Sequence, residues 1–135
     1  MARKRQPEYC WSDAWLLLAI IYSGGSSGTN LRHIISAGDY INHALFTLDE
    51  LRSGLIRLTT GGFIREQDGN FAATEITLES YRHTTSPRRA ALKEIADFEE
   101  LLKASGAIDL NSHQKPLRLS KKSYDKAVKE YADSF

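Results

Sequence analysis

The sequence is short of cross-links, of long apolar runs and of net charge. Cys10 is its only cysteine, so no internal disulfide can form, which suits a reducing compartment and leads us to expect a cytoplasmic protein. The apolar run from Trp15 to Tyr22 is too short to cross a bilayer and reads as a buried helix. Nothing resembles a signal peptide, because the basic Arg3-Lys4-Arg5 is followed by Pro7-Glu8 and then Ser12-Asp13. The formal net charge of +1 gives no global field toward nucleic acid or membrane. Chemistry-bearing motifs are equally scarce. Gly24 to Gly28 lacks the Lys-Ser/Thr of a phosphate loop and follows a helix, so it reads as a linker. Asp39 and His43 share an i,i+4 spacing with His33 nearby, but without a paired Cys or His motif they read as a turn cap and a packed side chain. Cys10, between Tyr9 and Trp11, is expected to be buried. We expect no enzyme, no catalytic or metal-binding residues and no cofactor.

What the chain does have is one strongly patterned stretch, Thr47 to Thr74. Its 135 residues make one ordinary domain, or a small domain with an appendage, and about two-thirds of the unfolded surface can be buried at that size. Thr47-Leu48-Asp49-Glu50 is a capping box, with Phe46 and Leu51 at staple spacing. Leu48, Leu51, Leu55 and Leu58 form one apolar stripe, and Gly61-Gly62 supplies a left-handed stop. Phe63-Ile64-Arg65-Glu66 then reads as a strand, Asp68-Gly69 as its turn and Phe71-Ala72-Ala73 as the return.

Upstream, Ser12 is a candidate N-cap for a helix to Ile21 or Tyr22 that is apolar on nearly every side and therefore central. Thr29 or Asn30 caps a second helix through Ile35, and Gly38 is expected to break it. Two helices, a capped third, a glycine stop and a hairpin, carried by Thr47-Leu48-Asp49-Glu50-Leu51, Gly54-Leu55-Ile56 and Gly62-Phe63-Ile64 running into Asp68-Gly69, resemble the winged helix-turn-helix superfamily over roughly Tyr9 to His83. The resemblance implies an α+β, mostly α fold: three helices and a β-hairpin wing, with Thr47–Thr60 as the recognition helix. It also implies a small DNA-binding transcriptional regulator or accessory factor. The alternative is a protein-interaction module of the same fold without DNA contact.

The expected organisation is a disordered basic arm over 1–8, a winged-helix domain over 9–83 and a two-helix extension over 84–135. Thr74 can cap a short helix through Tyr81, although the alternation of Ile76 and Leu78 also permits a strand. Ser86-Pro87 opens a helix to Ser105, in which Ala91, Ile95, Phe98 and Leu102 space out a seam. Ser120 caps a last helix with Tyr124, Val128, Tyr131 and Phe135 on one face and Lys122, Lys126 and Lys129 on the other. The two seams can pack on each other in one chain or pair with symmetry mates; we favour a homodimer.

Candidate DNA contacts are Arg52, Ser53, Arg57 and Thr60 on the third helix, Arg65 at the wing base, and Arg3, Lys4 and Arg5 in the arm. Arginine can donate a bidentate pair to guanine and Ser or Thr can touch bases or phosphates. Candidate interaction residues are Ile56, the Ala91-Ile95-Phe98-Leu102 seam, and Lys122, Lys126 and Lys129. The expected partners are double-stranded DNA and a second copy or another protein, and no membrane.

Overall fold

The computed structural model describes residues 8–84, 91–105 and 119–135. Arg3, Lys4 and Arg5, the Ser86-Pro87 helix start, the side chain of Ala91 and the loop around Asn111 to Pro116 lie outside them. The described residues form an α+β, mostly helical protein with six helices and one antiparallel hairpin, where the resemblance implied three helices in the hairpin-bearing domain.

Helix α1 (Trp11–Ser23) is the axis. Every residue from Asp13 to Ile20 is buried, as its all-round apolarity predicts. It begins one residue before the expected cap. Cys10 is the N-cap, because the Asp13 carboxylate accepts the Cys10 N–H at 3.1 Å, which leaves Ser12 inside the helix.

Helix α2 (Leu31–Asn42) does not stop at Gly38. The glycine is there for packing: a Cβ on it would overlap the Phe46 ring. The Trp15 indole N–H donates to the Gly38 carbonyl at 3.0 Å, and Trp15 stacks on Phe46 with centroids 3.8 Å apart. This tertiary gain outweighs a helix-interior glycine penalty of about 1 kcal/mol. The stop comes instead at His43, left-handed with φ 54°.

Helix α3 (Leu48–Thr60) opens with the expected capping box. Glu50 accepts the Thr47 N–H at 2.8 Å, and the Thr47 hydroxyl accepts the Glu50 N–H at 3.1 Å. Leu51, Leu55 and Leu58 are buried, and Gly62 provides the left-handed residue after the helix, φ 82°. Strands β1 (Ile64–Gln67) and β2 (Asn70–Ala73) pair from Ile64↔Ala73 to Gln67↔Asn70. Asp68 and Gly69 both have positive φ, 53° and 82°, the primed turn that matches strand twist. Across β2, Thr29 and Phe71 exchange two 2.8 Å backbone hydrogen bonds, so the α1–α2 loop is tied to the hairpin edge.

Thr74 precedes helix α4 (Glu75–Thr84), which settles the Ile76/Leu78 alternation as helical. Helices α5 (Ala91–Ala104) and α6 (Lys121–Ala132) do not pair their seams with each other. Helix α5 packs on α1 and α6 on α2. Ile95, Phe98 and Leu102 are fully buried, and Tyr81 stacks on Phe98 at 5.9 Å. The first expected dimer seam is therefore core, covered by α1 of the same chain.

Candidate nucleic-acid interface

The third helix was expected to present Arg57 outward. It does the reverse. Arg57 Nε and Nη2 donate to the two Asp13 oxygens at 2.7 and 2.8 Å, with the Asp13 side chain wholly buried and that of Arg57 19% exposed. Gly54, one turn earlier, makes the approach possible: a Cβ there would lie 2.7 Å from Leu16 Cδ2 and 3.0 Å from Asp13 Oδ1. The bidentate bond to Asp13 raises the Arg57 pKa despite partial burial. Tyr9 completes the cluster, its hydroxyl donating to the Arg57 carbonyl at 3.4 Å. Burial first, and then the Asp13 charge, push its phenol pKa up. Arg57 therefore joins α1 to α3 and has no fork left for a base.

Arg52 is also engaged, donating Nε to the Leu119 carbonyl at 2.8 Å. Ser53 and Asp49 are exposed, and Ile56 and Thr60 are half-buried beside them. The Thr60 hydroxyl oxygen is enclosed without a partner among the described residues. Arg65 projects from β1 into solvent. The open strip of α3 is thus acidic to neutral, with cations at its margins.

Lys122, Lys126 and Lys129 are exposed on α6, with Glu130 4.0 Å from Lys126. Lys126 and Ser123 share a cleft of about 270 Å³ with Asn30 and Arg32 at the start of α2, beside Gly69 of the hairpin turn. Sequence reasoning missed Arg32, since no pattern flags a single arginine in a first turn. It also missed Asp13 as the partner of Arg57; the nearest signal was Gly54, a small residue inside an apolar stripe.

Helix α6 is tied across the α2–α3 pair. The Tyr124 hydroxyl donates to the Phe46 carbonyl and that of Tyr131 to Asp39, both at 2.5 Å. Asp39 therefore anchors α6 and does not cap a turn. The bond to Asp39 holds the Tyr131 phenol up at about 12. Cys10 is exposed, not buried, with Sγ 3.7 Å from Arg57 Nη2. Among the described residues no group of three His, Cys, Asp or Glu can hold a metal ion, and no helix is long and apolar enough to cross a membrane. A second cleft, about 410 Å³ and lined by Tyr22, His33 and Tyr40, opens on the outer face of α2. No protein family, curated protein or solved structure matches the chain.

Proposed function

We propose that the chain is a winged-helix protein that binds duplex DNA through its α2–α3 pair and hairpin, as a small transcriptional regulator or accessory factor. The supporting observation is the arrangement itself: two consecutive helices joined by a short turn, beside a hairpin whose second strand also holds Thr29 of the α1–α2 loop. In such pairs the second helix enters the major groove while the first crosses the backbone. The contact set differs from the one the sequence suggested. Arg57 is structural. Phosphate contacts fall to Arg32, Arg52 and Arg65, which border the pair, and Ser53 remains for close contact, the Thr60 hydroxyl being enclosed. With no free arginine fork on the open strip of α3, base selection is weak, and phosphate binding rests on the three bordering arginines against the opposing charge of Asp49.

The test is fluorescence anisotropy on mixed-sequence duplexes across a salt series. Three neutralised phosphates give a slope of log K against log[salt] of about −3. Arg32→Ala and Arg65→Ala are each expected to flatten that slope by about 1. A wild-type protein that binds no duplex at low salt contradicts the reading.

The protein-interaction alternative has its own observation. Tyr40, Ile76, Leu92 and Phe135 are large apolar side chains left in solvent, and aromatic residues are enriched in protein interfaces. Capture of a protein that Tyr40→Asp loses and Arg65→Ala retains, with no duplex binding, decides for it.

A further inference from the structure

Helix α6 lies where the proposed ligand would go. In helix-turn-helix docking the first helix of the pair crosses the DNA backbone and the N-terminal residues of the second meet base edges. Helix α6 packs along that first helix, α2. Its Ser123 and Lys126 stand over Asn30 and Arg32 at the α2 start. Tyr124 holds the carbonyl of Phe46 in the connecting turn, and Leu119, just before α6, occupies Arg52 in the N-terminal half of α3. A duplex and α6 cannot both use this ground.

The way α6 is held also differs from the rest of the fold. Helices α2, α3 and α5 all pack on the central α1, whereas the principal neighbour of α6 is α2. Its inward side chains Tyr124, Ala127, Val128 and Tyr131 follow the i, i+3, i+4, i+7 spacing of a helix laid in a groove. Of these only Ala127 is buried; the two tyrosines and Val128 are half-buried. Beside this apolar packing, the attachment uses two hydroxyl bonds and one guanidinium hydrogen bond at the helix margins, which water can replace.

We infer that α6 is an intramolecular cover of the α2–α3 surface, and that duplex binding requires it to swing off, releasing Arg52 and uncovering Arg32. The inference rests on the DNA reading proposed above. It makes the full chain a weaker DNA binder than its α2–α3 surface allows, because affinity is reduced by the fraction of molecules that are open.

Tyr124→Phe with Tyr131→Phe removes both hydroxyl ties and keeps both rings, so the fold is expected to survive. Two lost hydrogen bonds shift the opening equilibrium by roughly tenfold or more, and duplex affinity measured by anisotropy rises by that factor while the salt slope stays the same. Ala127→Glu, which drives a carboxylate into the α2–α6 contact, is expected to act in the same direction and more strongly. Equal, measurable affinity in wild type and all variants overturns the cover and leaves the DNA reading standing. No duplex binding by any form, with α6 amides exchanging faster in the variants, overturns both.

Discussion

The last two helices carry apolar stripes of similar length, yet they end in different places. Helix α5 brings Ile95, Phe98 and Leu102, which reach full burial against α1. Helix α6 brings Tyr124, Val128 and Tyr131, which stop half-buried on α2 and finish in hydroxyl bonds. The difference is chemical. A phenylalanine or leucine stripe gains most by complete removal from water. A tyrosine stripe has one apolar face and one polar end, and is satisfied at a boundary. One stripe builds the core, and the other attaches a helix to it.

The sharpest way to break this contrast is in α5. Phe98→Ala leaves a cavity between α1 and α4 and is expected to lower stability by about 3–5 kcal/mol in a denaturant melt. A loss below about 1 kcal/mol would put α5 in the same class as α6. The Asp13–Arg57 pair belongs with the core. Arg57→Ala strands a wholly buried carboxylate and is expected to lower stability by about 3–5 kcal/mol. If Arg57 faced DNA instead, the melt would hardly move and duplex affinity would fall.

These two sites also mark the limit of what the sequence makes legible. Thr47 and Glu50, Asp68-Gly69 and Gly62 could be read directly, because caps and turns are decided within a few residues. Asp13 and Arg57 are 44 positions apart, and Arg57 sits at the edge of the α3 stripe, where periodicity does not say inward or outward. Gly38 reads as a helix breaker until Phe46 and Trp15 are seen to need the space it leaves. The two C-terminal seams have the right period for a partner, but periodicity cannot name the partner. The same gap affects the interface: the α3 strip was legible as a surface, but its loss of Arg57 to the core and of Arg52 to Leu119 was not.

Smaller effects sharpen the comparison from the α6 side. Thr47→Ala, which removes the acceptor for the Glu50 N–H, is expected to lower stability by about 1 kcal/mol and serves as a local reference. Tyr131→Phe removes the bond to Asp39 and is expected to loosen α6 by a similar or smaller amount, about 0.5–1.5 kcal/mol, with α1 amides unchanged. Alkali acts on the same bond. The Tyr131 phenol is raised from 10.0 to about 12, so the folded state holds its proton more tightly than the unfolded chain. The contribution is complete below pH about 10 and disappears as pH rises to about 12. In Tyr131→Phe that part of the alkaline loss of α6 is expected to be absent.

The most direct test of α6 as a cover is hydrogen exchange on the full chain with and without duplex DNA. Without DNA, α1 and α5 amides are expected to exchange only through global unfolding, and α6 amides through a lower-energy opening. On adding duplex, amides in α2 and the first half of α3 gain protection while those of α6 lose it. A complex in which α2 and α3 become protected and α6 keeps its protection would contradict the account.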